Sequence, residues 1–158
     1  MLQRLSEMLK RRDEGFTLIE LMVVVLIIGI LIAIAIPTFL GARQRANDKA
    51  AQSSLRNALT NAKAIYTDHE TYSDATPAAL GSAEPSLTFG ATAATDSTGP
   101  TNVSVSGANA TFTAAALSKS GTCFWIRDSI SGPGTQFALT KNASTCNAAA
   151  PGTFGTSW

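Results

Sequence analysis

One carboxylate stands inside the longest apolar run of this 158-residue chain. From Phe16 to Ile36 every side chain is apolar or small except Thr17 and Glu20. A carboxylate near the end of a membrane span costs about 2–3 kcal/mol on insertion scales, so Glu20 requires a compensating role. The simpler interpretation is a single-pass anchor in which one acid lies close enough to the interface to reach water.

Cysteine and histidine offer the other candidate chemistry. Cys123 and Cys146 are the only cysteines, and His69 is the only histidine. These residues lack the spacing of a zinc site, so we expect no metal. No GxSxG or HExxH pattern fixes a nucleophile, and no glycine-rich phosphate loop follows a strand. We therefore expect no catalytic residues, no cofactor and no enzyme activity, and we interpret His69 as a surface residue at a helix end.

A helix over residues 16–37 would position Glu20. Its length at 1.5 Å per residue is roughly 31 Å, which matches a bilayer core of about 30 Å. A domain of this size could not bury a helix that is apolar on all sides, so the helix must lie in lipid or in a bundle of identical helices. Gly29 and Pro37 weaken it, since Gly costs about 1 kcal/mol relative to Ala and Pro removes a backbone hydrogen bond.

The segment before this helix carries four basic residues: Arg4, Lys10, Arg11 and Arg12. By the positive-inside rule they place residues 1–15 in the cytoplasm, so the chain after Pro37 lies outside. The segment differs from a standard secretory signal because its apolar run would stay in the mature protein. The nearly balanced charge, 12 bases against 11 acids, gives no support for nucleic-acid binding.

A polar helix is predicted to continue after Pro37, over residues 38–68. Its apolar side chains recur every three or four residues and form one stripe: Ala51, Leu55, Ala58, Leu59, Ala62, Ile65 and Tyr66. Its basic side chains mostly lie elsewhere on the helix: Arg43, Arg45, Lys49, Arg56 and Lys63. We interpret these bases as a solvated face, with packing against acids of neighbouring subunits and contact with DNA as the alternatives.

After the helix the composition changes to Ala, Gly, Ser and Thr. Residues 69–101 are predicted to form a connecting loop, with a helical turn beginning at Pro77 and a short strand near 87–91. Over residues 102–158 the apolar period becomes two, which predicts a small antiparallel sheet. Its apolar side chains alternate along the strands: Val103, Val105, Phe112, Ala114, Phe124, Ile126, Phe137 and Leu139. The sheet is expected to cover the helix stripe, giving an α+β globular domain over residues 38–158.

The order of residues around Gly15 resembles the class III signal and N-terminal helix of type IV pilins and pseudopilins. A basic leader runs to Gly15, and the sequence FTLIE with an unbroken aliphatic helix follows. Gly29 and Pro37 also fall at the family's spacing, whereas the acids at positions 13 and 14 depart from its commonest pattern. The resemblance implies the type IV pilin fold, in which the second half of one long helix packs against an antiparallel sheet.

The resemblance also implies roles for individual residues. A membrane-embedded prepilin peptidase would cut between Gly15 and Phe16, removing the leader 1–15, and would N-methylate Phe16. Glu20 would then meet the Phe16 amine of a neighbouring subunit in the filament, because charges in an apolar bundle must be paired. Gly29 and Pro37 would lie where the helix bends or unwinds during filament assembly.

A disulfide between Cys123 and Cys146 is predicted from their location and from the resemblance. Both residues fall in the part of the chain placed outside the membrane, where disulfides form and persist. Closing the loop would stabilise the domain by roughly 3 kcal/mol in the chain-entropy model. Many pilins close a C-terminal loop in this way.

The leading hypothesis is a structural subunit of a bacterial type IV pilus. It would be a single-pass inner-membrane protein before assembly and part of a homo-oligomeric surface filament afterwards. Motility, adhesion, DNA uptake, secretion and conduction are the roles such a filament could serve. Prepilin peptidase, an assembly ATPase and a platform protein are the implied partners. The alternatives are a type II secretion pseudopilin and a minor pilin for DNA uptake, although no nucleic acid is expected. The absence of Asp and Glu after Asp128 argues against the calcium loop of major pseudopilins.

Overall fold

A computed structural model describes residues 16–158, so Gly15 and the predicted leader 1–15 lie outside the described residues. The chain divides into two compact units that meet between Gly41 and Ala42. We call Ala42–Trp158 the head unit. One helix, α1 (Leu18–His69), continues through Pro37.

The apolar stripe of α1 forms one side of the core of the head unit. Ala51, Leu55, Ala58 and Ala62 are completely buried. Ile65 and Tyr66 are partly buried against the same core. The many alanines in the stripe let the sheet approach the helix closely, and the predicted packing of stripe against sheet is confirmed.

Two short elements follow α1. Tyr72–Asp74 form a 3-10 turn, and helix α2 (Pro77–Ala83) comes next. Thr76 caps α2, since its side chain accepts a hydrogen bond from the N–H of Ala79 at 3.2 Å. Pro77 occupies the first turn, where a missing N–H costs nothing. The helical turn predicted at Pro77 is therefore confirmed.

Five strands form one sheet in sequence order: β1 (Thr88–Phe89), β2 (Asn102–Ala108), β3 (Thr111–Leu117), β4 (Thr122–Ser129) and β5 (Gln136–Lys141). The pairs from β2 to β5 are antiparallel, as predicted. β1 lies within the short strand predicted near residues 87–91, and it joins the sheet by pairing with β2 in parallel. Residues 90–101 return the chain to the end of the sheet where β1 began, and such a crossover makes a parallel pair. The α+β class is confirmed, with a mixed sheet.

Both faces of the sheet are covered. A row of side chains faces α1 across four paired strands: Val105, Ala114, Ile126 and Phe137. On the opposite face, Ala115, Trp125 and Ala138 pack with Cys146 and with the partly buried Phe154. Leu139, which was expected to share the core face with Phe137, is 41% exposed because β5 is the last strand of the sheet.

Candidate functional site

The first turn of α1 holds Glu20 in a capping box. Thr17 precedes the helix, and its backbone N–H and hydroxyl donate to Oε2 of Glu20 at 3.0 and 2.8 Å. The N–H of Glu20 donates in return to Oγ1 of Thr17 at 3.3 Å. The two side chains thus satisfy N–H groups that have no partner within the helix. The Thr-x-x-Glu spacing is the sequence signature of such a box, so the cap is visible in the sequence at positions 17 and 20.

The capping box bears on the role predicted for Glu20. The carboxylate lies at the positive end of the helix dipole, which favours its charged form at this position. Both residues of the box follow the predicted cut after Gly15, so the processed chain would keep it. Phe16, the residue that would carry the new amine, is 75% exposed beside it.

The stretch of α1 after Glu20 is an exposed apolar surface. The large apolar side chains from Phe16 to Leu40 are 44–75% exposed. Within the described residues, α1 is the one helix long and apolar enough to cross a membrane. An all-round apolar helix is stable only in lipid or against other helices.

Gly29 and Pro37 lie within this exposed stretch. A Cβ added at Gly29 would have no atom within 4 Å, so packing within the subunit does not require glycine there. Pro37 has no N–H to donate to the preceding turn. The hydroxyl of Thr38 donates to the carbonyl of Ala35 at 2.9 Å, which is not the carbonyl of Ala33 that the missing N–H would have reached. The assembly role of Gly29 and Pro37 stays a prediction.

A disulfide joins Cys123 on β4 to Cys146, with their Cα atoms 5.6 Å apart. Oδ1 of Asp96 accepts hydrogen bonds from the N–H of Cys146 at 2.9 Å and from the side-chain amide of Asn147 at 2.8 Å. The indole N–H of Trp125 donates to the carbonyl of Asn147 at 2.8 Å. These bonds hold the C-terminal segment over the face of the sheet opposite α1.

Asp128 is a buried carboxylate that the sequence analysis did not single out. It is 3% exposed, and it accepts hydrogen bonds from the hydroxyls of Tyr72 at 2.7 Å and Thr135 at 2.6 Å. The Lys63 ammonium lies 2.9 Å from its Oδ1. Burial alone would raise the pKa of Asp128, but the hydrogen bonds from Thr135, Tyr72 and Lys63 outweigh it and lower the pKa. Burial, reinforced by Asp128, raises the pKa of Tyr72.

His69 ends α1 and makes one exposed contact with an acidic side chain. Its Nδ1 lies 2.9 Å from Oδ2 of Asp74, and both side chains are about half exposed. Across residues 16–158, no group of three or more His, Cys, Asp or Glu side chains is placed to hold a metal ion. The first turn of α1 and the exposed apolar stretch that follows it are therefore the candidate functional site.

A family model described as the prokaryotic N-terminal methylation motif matches residues 10–36. The match includes Gly15, Phe16, Glu20 and Gly29. The resemblance to type IV pilins is confirmed. No solved structure gives a significant match.

Several curated proteins are similar to part of the chain, and three of them follow. The type IV major pilin protein PilA of Myxococcus xanthus is 48% identical over 63 residues, which are 40% of this chain and 29% of that protein. The type IV wide pilus major component PilA4 of Thermus thermophilus is 44% identical over 62 residues, 39% of this chain and 47% of that protein. The type II secretion system core protein G of Aeromonas hydrophila is 44% identical over 59 residues, 37% and 41% respectively. The chain thus spans less than half the length of each of these relatives.

Proposed function

We propose that this protein is a structural subunit of a type IV pilus, without enzymatic activity. The observation that carries the proposal is the capped carboxylate of Glu20 at the start of an exposed apolar helix, inside a matched methylation motif. Similarity to two major pilus components supports it. The subunit would wait in the inner membrane with its leader in the cytoplasm and pass to a surface filament.

The mechanism of assembly follows from what surrounds α1, which is lipid in the membrane and identical helices in the filament. In the membrane the helix already lies away from water, so transfer into a bundle of identical helices gains little from the hydrophobic effect and depends on close packing. A charge inside that bundle is strongly unfavourable unless it is paired. Cleavage after Gly15 would create an amine on Phe16, four residues from Glu20. A Glu20 carboxylate meeting the Phe16 amine of a neighbour would therefore fix the stagger of the helices.

Two substitutions at the capping box separate its charge from its helix-capping role. Glu20→Gln keeps a residue that completes a capping box but removes the charge, whereas Thr17→Ala keeps the charge and removes the cap. We expect Glu20→Gln to be processed normally yet to give little filament, and Thr17→Ala to lose less. The measurement is the amount of pilin sheared from cells relative to the processed pilin in the envelope. Filament at the wild-type level from Glu20→Gln would contradict the charge pairing.

The mass of the sheared wild-type protein tests the proposal as a whole. A species that begins at methylated Phe16, two hydrogens lighter than the reduced chain, would support a processed and disulfide-closed pilin. A type II secretion pseudopilin is the second candidate, favoured by the similarity to core protein G. Processed protein confined to the envelope, with none in the sheared fraction, would favour that candidate. Prepilin peptidase, an assembly ATPase and a platform protein are the partners that either function would require.

A further inference from the structure

The head unit carries two separate groups of exposed charges along α1 and just after it. The basic group consists of Arg43, Arg45, Lys49 and Arg56. The acidic group consists of Asp68, Glu70 and Asp74. At 1.5 Å per residue, Lys49 and Asp68 are about 28 Å apart along the helix. The two groups therefore cannot neutralise each other within one subunit.

Part of the basic group lines a groove between α1 and the C-terminal residues. The groove has a volume of about 250 Å³, and its lining includes Lys49, Arg56, Phe137 and Trp158. The Arg56 guanidinium lies 5.0 Å from the centroid of the Trp158 ring. That ring is held by Phe137 at 4.5 Å and by a 2.9 Å hydrogen bond from its N–H to the carbonyl of Trp125. The groove thus offers two cations beside a fixed aromatic wall.

The two cations of the groove lack an acidic partner within residues 16–158. The close contacts between basic and acidic side chains found there are those of Lys63 with Asp128 and of His69 with Asp74. Lys49 donates to the side-chain oxygen of Gln52 at 3.1 Å, which leaves its charge uncompensated. A carboxylate placed in the groove would gain charge-assisted hydrogen bonds from both cations.

Two residues of the acidic group occupy backbone positions that are unfavourable for their side chains. Asp68 is in the last turn of α1, at the negative end of the helix dipole, where an acid is unfavourable. Glu70 has φ of +57°, a conformation that suits glycine and strains other residues. Residues that violate local rules in this way often serve a purpose beyond the stability of the subunit.

We propose that the groove of one copy binds the acidic group of a second copy, with Asp68 and Glu70 facing Lys49 and Arg56. The inference rests on the proposed function, because a filament holds many copies side by side in one orientation. Each subunit carries both surfaces, so the contact is head-to-tail and can repeat without closing. Cations beside aromatic rings also suit single-stranded nucleic acid. The near-neutral chain and its own matching acids favour a second copy.

Cysteine cross-linking in full-length pilin tests the contact directly. The chain with Lys49→Cys and Glu70→Cys is expressed in a pilus-producing host that lacks its own pilin, and sheared material is run without reductant. We expect a ladder of covalent oligomers. The two new cysteines of one chain lie about 31 Å apart along α1 and its end, too far for an internal disulfide. The control, Ala94→Cys with Glu70→Cys, moves one cysteine to an exposed position in the connection between β1 and β2, at the edge of the sheet away from β5, and should give no ladder.

Charge reversal gives an independent readout. Lys49→Glu and Glu70→Lys should each lower sheared filament at least about tenfold, because attraction becomes repulsion at every repeat of the contact. The double reversal should restore most of the yield, and Ala94→Glu, a new charge at the sheet edge away from β5, should leave it unchanged. Retention of the head disulfide and of the protein level shows that each variant folds.

Several outcomes would overturn the proposal. One is a wild-type filament yield from both single reversals, and another is the absence of a ladder in a host whose filaments form normally. If the reversals leave the filaments intact but abolish retention of single-stranded DNA, the groove is a nucleic-acid site and the proposal is wrong. A wild-type chain that forms no filament would instead refute the proposed function, and this inference with it.

Discussion

Replacing Tyr72 by Phe should destabilise the head unit by about 2 kcal/mol. Tyr72 is completely buried, and its ring lies 4.7 Å from that of Tyr66 and 5.8 Å from that of Phe112. Phe keeps these contacts, so the change removes the 2.7 Å hydrogen bond to Asp128. Hydrogen bonds to charged groups contribute about 1.5–3 kcal/mol. Asp128 keeps two other donors, which places the expected loss in the middle of that range.

Denaturant unfolding of the full chain in detergent measures this loss. Trp125 and Trp158 are the only tryptophans and both lie in the head unit, so tryptophan fluorescence reports its unfolding. The midpoint should fall while the slope with denaturant stays unchanged. Tyr66→Phe is the matched control, because that hydroxyl is not among the donors to Asp128, and it should change stability by less than about 0.5 kcal/mol. Equal losses from the two variants would refute the reasoning.

The same network predicts that stability falls at both ends of the pH range. The pKa of Asp128 is lowered from its ordinary value of 3.8, so its contribution is complete above about pH 4 and is lost as the pH falls through the folded pKa. The pKa of Tyr72 is raised from 10.0, so its contribution is complete below about pH 10 and is lost as the pH rises. Tyr72→Phe should weaken the alkaline loss and Asp128→Asn the acid loss. Unchanged pH profiles in both variants would contradict this assignment.

Three further substitutions test other parts of the head unit. Gly107→Ala would drive a methyl group into the backbone carbonyl of Tyr72, so we expect the free energy of unfolding to fall by about 3 kcal/mol or the protein not to fold. Gly99 faces open space, so Gly99→Ala is the control and should be near neutral in the same unfolding assay. Cys123→Ser opens a disulfide that spans 23 residues and should cost about 3 kcal/mol, and a reductant should then destabilise the wild type but not the variant. Glu70→Gly relieves a positive φ and should stabilise the head unit by about 1 kcal/mol while lowering filament yield; a stabilised variant with normal filaments would argue against docking of the acidic group.

The N-terminal site could be predicted from sequence because its chemistry is local. Gly15, Phe16 and Glu20 lie within six consecutive residues, and the apolar run that follows needs no tertiary information. The capping box is equally local, since Thr17 and Glu20 are three residues apart. The apolar stripe of α1 was also predictable, because seven apolar side chains that recur every three or four residues are a strong signal of an amphipathic helix.

The network around Asp128 and the edge of the sheet could not be predicted in this way. Asp128 and Tyr72 are 56 residues apart, and no local pattern links a strand-end acid to a tyrosine in a 3-10 turn. β1 has only two residues, and an apolar period in any case does not indicate whether a strand pairs in parallel or antiparallel. Residues 142–154 cover the sheet face opposite α1 through the disulfide and through single contacts such as that of Phe154, and these follow no periodic pattern either.

In the proposed filament, the helix and the head unit would contribute different kinds of contact. All but two of the large exposed apolar side chains of the described residues lie between Phe16 and Leu40, so the helix would supply most of the packing surface. A uniformly apolar helix offers many staggers of similar energy, because its surface pattern repeats about every 5.4 Å. Charges distinguish among these staggers, since a misplaced charge meets lipid-like surface or a like charge. Packing alone would leave several staggers of the helices close in energy. The charge of Glu20, together with the contact between the groove and the acidic group of a second copy, would therefore select one of them.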